Sequence, residues 1–227
     1  MPKKLPIFYS ALLLTGVNLL LRMVGTSFQV YLSGRIGAEG IGLLQLVLSL
    51  GSMAMVAGTA GIRTATMYLT AEEFGKRKEK NITWVLSGSI GYSILCSAFV
   101  ALGIYIYAPF LAEHWIGNIR TLESIRLFAV FLPVSCLSGV MVGYFTGANK
   151  IGTLAAVEVA EQLCTMVCTM VLLSLWAGHD AEKACQAVVL GSGLGACLTL
   201  CCLAVLRLRE RAETGTRISV ANRLAHT

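Results

Sequence analysis

Residues Ile82 to Ala112 read ITWVLSGSIGYSILCSAFVALGIYIYAPFLA, a run of 31 positions without a charge. A helix rises about 1.5 Å per residue, so about 20 such residues cross a hydrocarbon core of roughly 30 Å. The run shows no period-two alternation, and in lipid a lone helix satisfies its own backbone polar groups. It therefore predicts a transmembrane helix. Working outward, three more charge-free runs are long enough to cross: Ile41 to Ile62 (22 residues), Leu127 to Asn149 (23) and Ala184 to Leu206 (23). Two further segments reach that length only with charges inside them, Pro6 to Leu32 holding Arg22, and Gly152 to Ala177 holding Glu158 and Glu161.

The sequence thus predicts an all-α integral membrane protein, a bundle of six transmembrane helices over residues 1–206 with no second domain. The helices fall at about 6–32, 41–70, 82–108, 122–147, 152–177 and 184–206, and a polar, basic tail follows at 207–227, with too little apolar surface to fold. Composition agrees: 56% of the residues are hydrophobic, 13% are charged and the mean hydropathy is +0.74, against about a quarter charged in soluble domains. Lys3, Lys4 and the run Leu5 to Leu21 imitate a secretory signal, but no small-x-small site precedes Arg22, so the helix is read as retained.

The net charge of +6 is informative by position. With the N-terminus inside, twelve Lys and Arg fall on the inner segments (Lys3, Lys4, Lys76 to Lys80, Lys150 and the tail from Arg207). Four fall outside: Arg35, Arg120, Arg126 and Lys183. The positive-inside rule then places both termini in the cytoplasm. After a membrane helix the basic tail suits stop-transfer and anionic lipid, and no nucleic-acid partner is expected. All eight cysteines lie in or beside apolar spans without a CxxC, as reduced packing residues. His114, His179 and His226 have no ligand-spaced companions, and no Ser/His/Asp set lies at membrane depth. No catalytic residue, metal or cofactor is expected.

The polar residues at membrane depth are patterned. In NLLLRMVGTSFQVYL (Asn18 to Leu32), setting Asn18 at zero puts Arg22 at about 40°, Gln29 at about 20°, Gly25 at about −20° and Thr15 and Ser33 at about 60° on a helix. The second span carries a comparable stripe about Arg63: Gln45, Ser49, Ser52, Thr59, Thr66 and Thr70. In the fifth, Glu158, Glu161, Thr165 and Thr169 share a face. A charge at the bilayer centre costs about 2.5–3.5 kcal/mol even on the lenient insertion scale. Arg22 is therefore expected to face a hydrated cavity rather than lipid. Mutual neutralisation of two Arg and two Glu is the plainer alternative, but three aligned faces exceed what pairing needs. A guanidinium fork matches phosphate, so the cavity suits a phosphate-bearing headgroup. The carboxylates suit either pairing with Arg in an empty site or holding a coupling cation or proton, and both readings stay open.

Pro133 predicts a kink in the fourth span, and Gly143 to Gly147 (GYFTG) and Gly191 to Gly195 (GSGLG) are small-xxx-small patterns for close helix approach. With these in view, the order of motifs resembles the N-terminal half of the stage V sporulation protein B and polysaccharide-exporter families, in the superfamily of multidrug, oligosaccharidyl-lipid and polysaccharide exporters. The residues that carry it are NLLLRMVG, YLSGRIGAEGIGLLQLVLSL, TAGIRTATMYLTAEE, GYFTGANK and EVAEQ (Glu158 to Gln162), spread over residues 5–206.

The resemblance implies one lobe of a two-lobe flippase in the cytoplasmic membrane, moving undecaprenyl-pyrophosphate-linked oligosaccharide or peptidoglycan precursor by alternating access. It assigns substrate binding to Arg22 and Arg63, with Asn18 and Gln29 on the same stripe as Arg22. Glu158, Glu161 and Gln162 are assigned to coupling or ion pairing. The implied partners are the lipid-linked glycan, the bilayer and a second lobe, supplied by a continuing chain, a second chain or a homodimer, truncation ranking first. LCTM follows EQ where the family often has a basic residue. The rival readings are a cation-coupled drug exporter using Glu158 and Glu161, and a membrane scaffold acting through its basic loops.

Overall fold

The computed structural model describes residues 7–59, 61–76, 79–176 and 181–225. All regular structure in them is helical: α1 (Ile7–Thr59), α2 (Ile62–Gly75), α3 (Glu79–Phe110), α4 (Leu122–Gly147), α5 (Ile151–Trp176) and α6 (Ala181–Ala225). A π-helical turn (Leu111–Trp115) and a 3-10 turn (Ile119–Thr121) join α3 to α4. There the Asn118 side chain accepts from the Arg120 N–H at 3.0 Å, and Gly117 supplies a φ of 71°.

A straight helix of the 53 residues assigned to α1 would run about 80 Å, far beyond a bilayer. It is not straight. Gly37 adopts φ 79 and ψ 173, outside the helical region, and only glycine reaches such a conformation without a steric penalty. The bend lets Leu32 and Leu44, on either side of it, join one buried cluster with Cys185 of α6.

Five helices are long and apolar enough to cross a membrane: Gly40–Thr59, Asn81–Trp115, Ile119–Gly147, Ile151–Trp176 and Glu182–Glu210. The chain is thus a multi-pass membrane protein. The sixth expected span, the first arm of α1, is helical from Ile7 but is not among the five; its described part carries Asn18, Arg22 and Gln29. The expected helix 41–70 is corrected. It breaks after Thr59, and α2 starts anew from Gly61, whose φ of 76° is left-handed. At 14 residues, α2 is too short to cross. Helix α4 matches its expected bounds and continues unbroken through Pro133. The tail expected to fray from residue 207 instead prolongs α6 to Ala225. Residues 1–6, Arg77, Lys78 and Ala177, which also bear on the expected boundaries, lie outside the described residues.

Glycines set how closely the helices approach. A β-carbon on Gly143 would lie 2.5 Å from the carbonyl oxygen of Arg63, and one on Gly147 2.5 Å from that of Met67, so α4 rests directly on the backbone of α2. Between these two glycines Tyr144 and Phe145 are fully buried, in a cluster with Val140, Leu154 and Leu203 from three helices. Helix α6 uses the same device on two sides. Gly191 and Gly195 admit Thr169 and Thr165 of α5, and Gly193 admits the Phe131 ring of α4. In lipid no hydrophobic force draws helices together, so close backbone packing carries association. The outer surface is apolar: Trp84, Leu95, Phe99, Leu102 and Ile106 stand exposed along α3, as lipid-facing side chains should.

Filling the α2–α4 contact is expected to cost about 1–3 kcal/mol, as overpacking does. Gly143→Ala should lower the thermal midpoint in detergent, while Gly152→Ala, where a β-carbon meets open space, should leave it unchanged.

Candidate functional site

Helix α1 divides its first arm into three strips. Val17, Leu21, Gly25, Phe28, Leu32 and Ile36 are half-buried or buried and form the edge that touches the bundle. Leu19, Leu20, Met23 and Val30 form an exposed apolar strip. Asn18, Arg22 and Gln29 lie between them, about 70° round from the middle of the contact edge on a helical projection, and all three are exposed. Arg22 makes no ion pair among the described residues. Neighbouring hydroxyls are satisfied within the helix itself, Thr26 donating to the Arg22 carbonyl at 2.9 Å and Ser27 to that of Met23 at 3.0 Å. Gln45, Ser49 and Ser52, on the second arm, are exposed as well.

Arg63 is placed by the glycine contact just described. With its carbonyl against Gly143, the residue sits in the first turn of α2 and its side chain is exposed. The stripe expected about it does not survive. The break at Gly61 removes the helical register linking Arg63 to Gln45, Ser49, Ser52 and Thr59, and Thr66 and Thr70 are fully buried, Thr70 beside Gly147 of α4.

The expected fifth-helix face lies largely against α6. Glu161 turns toward α6, where its Oε2 accepts a hydrogen bond from the Thr199 hydroxyl at 2.7 Å, and Thr165 and Thr169 fill the spaces over Gly195 and Gly191. These three are packing residues of the α5–α6 contact. Gln162 serves a different neighbour. The Gln162 amide lies against α1, 3.6 Å from where a β-carbon on Gly25 would sit. Glu158 is half-buried. Its Oε2 is shut off from solvent and accepts no hydrogen bond among the described residues. Glu161 and Gln162, adjacent in sequence, therefore serve different neighbours.

The contact among these groups is between α5 and α1, where Gln162 lies against Gly25. Asn18, Arg22 and Gln29 flank it on α1 as an exposed strip, and Arg63 stands exposed at the start of α2. An exposed guanidinium can hold an anion with several acceptor oxygens.

One constellation escaped the sequence reading. At the basic end, Lys150 pairs with Glu210, whose Oε2 also lies 3.5 Å from Arg207 Nη1 and 3.4 Å from the Tyr144 hydroxyl. The Arg207 guanidinium stacks 4.4 Å from the centre of the Tyr144 ring. This network ties the prolonged α6 to the α4–α5 turn. The only cue in the sequence was Glu210 within an otherwise basic segment.

The expected resemblance holds. Over 187 residues, 81% of the chain, the sequence is 28% identical to stage V sporulation protein B of Bacillus subtilis (strain 168). The match covers 36% of that protein, so the chain spans about a third of its relative's length. No family model and no solved structure matches the chain.

The Glu161–Thr199 bond should behave as an interhelical link. In a double-mutant cycle with alanine at both positions, unfolding in detergent should give a coupling of about 0.6 kcal/mol, at most roughly 1.7. Glu158→Ala combined with Thr199→Ala should be additive.

Proposed function

We propose that this chain forms one lobe of a flippase in the cytoplasmic membrane, which moves undecaprenyl-pyrophosphate-linked oligosaccharide or peptidoglycan precursor by alternating access in cell-wall synthesis or sporulation. The observation that carries this reading is the position of Arg22. It is a permanent charge in a chain of lipid-exposed helices, it lies on a polar strip separate from the apolar one, and it has no ion pair among the described residues. A guanidinium so placed needs water or an anion. Arg63, exposed in the first turn of α2, is the second fork that this reading assigns to the same anion. Pyrophosphate offers both the charge and the paired oxygens that such forks bind well.

The similarity to stage V sporulation protein B supports the same reading. In it, the polar strip of α1 and the ends of α2 and α5 form one wall of a hydrated path, and a second lobe supplies the other. Rocking of the two lobes would then expose the path to each side in turn. The excess of Lys and Arg on one set of loops supports a cytoplasmic position for both termini when the first arm of α1 also crosses. The glycan is carried in the aqueous path while the polyprenyl chain stays in lipid.

Reconstituted with its second lobe in proteoliposomes, the Arg22→Ala variant should lose transbilayer movement of a fluorescent pyrophosphate-linked polyprenyl lipid by about 10- to 100-fold. That range corresponds to about 1.5–3 kcal/mol for a hydrogen bond to a charged group. Arg22→Lys should retain part of the activity, keeping charge but losing the fork. Full activity in both variants would defeat the phosphate role.

A further inference from the structure

Glu161 and Gln162 are consecutive, so their side chains leave α5 about 100° apart. Glu161 accepts from the Thr199 hydroxyl of α6 at 2.7 Å, and Thr165 and Thr169 fill the hollows of Gly195 and Gly191. The roll of α5 is thus fixed by α6. Gln162 is thereby aimed at α1, where a β-carbon on Gly25 would lie 3.6 Å from its amide nitrogen. The first arm of α1 also carries Gly16 and Gly34, but a β-carbon on either would meet open space. Of these glycines, only Gly25 is a socket.

Nearer the bend at Gly37 the contacts of the arm are apolar: Phe28, Leu32 and Ile36 pack with Leu173 of α5 and with Cys185 and Val188 of α6. In lipid such contacts discriminate weakly between one apolar strip of a helix and another, because hydrocarbon is as good a neighbour as leucine. They do little to keep the exposed Leu19, Leu20 and Met23 off the bundle. An amide is more selective, since among apolar groups its polar atoms go unsatisfied. Rolling the arm by one residue would also bring the side chain of Val24 or Thr26 over Gln162 in place of a bare backbone.

We infer that Gln162 is a positioning residue whose amide, seated over Gly25, sets the roll and depth of the first arm of α1 and so turns Asn18, Arg22 and Gln29 away from lipid. The two residues then act as a register with two sides: Glu161 fixes α5 on α6, and Gln162 fixes α1 on α5. This assignment rests on the reading that the polar strip faces water, and it names what holds the strip there.

The test is labelling with a membrane-impermeant thiol reagent, on the full chain in intact membranes with its eight native cysteines replaced, carrying in turn Asn18→Cys, Gln29→Cys, Leu19→Cys or Leu20→Cys. Arg22 stays in place throughout, so its charge acts equally in every variant. The readout is the ratio of labelling rates, polar strip over apolar strip. In the parent the ratio should be about tenfold, the bias that about 1.4 kcal/mol of preference maintains. Gln162→Ala and Gly25→Leu should each bring it below about threefold, less than half of that preference. Gly16→Leu adds the same bulk where there is open space and should leave the ratio unchanged. Gly25→Gln combined with Gln162→Ala, which passes the amide across the contact, should restore the bias, as general loosening of the bundle would not.

A ratio unchanged in Gln162→Ala overturns the inference, even if Gly25→Leu fails to accumulate. So does an equal loss in Gly16→Leu, which would mean that any added bulk disturbs the arm, or a loss that the exchanged pair does not repair. A parent chain with no bias would defeat the water-facing strip and this assignment with it, an outcome distinct from a bias that survives Gln162→Ala.

Discussion

A guanidinium cannot be left facing hydrocarbon at membrane depth, and the cost of doing so, about 2.5–3.5 kcal/mol even on the lenient scale, is large beside the margins by which helices associate in lipid. The arrangement around Arg22 follows from that constraint. The contact edge of α1, running through Leu21, Gly25 and Leu32, is turned so that the polar strip lies beside it and apart from the exposed Leu19, Leu20 and Met23. Rotating α1 by one position would bring Asn18 and Arg22 onto the bundle contact or the apolar strip. The helix has one orientation in which its contacts, its charge and its lipid surface are all satisfied.

That orientation depends on how the other helices are held, and they are held by absent side chains. Gly143 and Gly147 let α4 lie on the α2 backbone, which fixes the start of α2 and hence Arg63. Gly191 and Gly195 seat Thr169 and Thr165, which fixes the rotation of α5 so that Glu161 faces α6 and Gln162 faces α1. Two small-xxx-small contacts thereby help to position the polar residues. Helix α6 is further tied at the basic end by Glu210, bridged to Lys150 and Arg207. Such partly exposed pairs add little stability individually but give the prolonged helix a defined starting direction.

The all-helical membrane fold was legible because its signals are long and local. Ile82 to Ala112 could be nothing other than a spanning helix, and α4 was bounded to the residue by the polar segment before it and the turn after Gly147. The break at Gly61 was not legible, because glycine is common inside membrane helices, and TAGIRTA continues the hydrophobic pattern of the preceding span. That miss propagated: the stripe about Arg63 had been projected on a helix that does not exist. The face of α5 was misjudged for another reason. Helical projection shows which residues share a side but not which neighbour occupies it, and Thr165 and Thr169 turned out to fill glycine hollows on α6. Arg22, Asn18 and Gln29 stay together in the structure because their strip was projected within one unbroken arm.

The central claim is that the strip holding Asn18, Arg22 and Gln29 faces water while its exposed apolar neighbours face lipid. The most direct measurement is single-cysteine labelling along α1 in intact membranes, with the eight native cysteines replaced and a membrane-impermeant thiol reagent applied from each side in turn. The account predicts labelling of cysteines placed at Asn18, Arg22 and Gln29, and protection of those at Leu19, Leu20 and Met23. Uniform protection of all six, or labelling of the apolar strip in preference to the polar one, would contradict it.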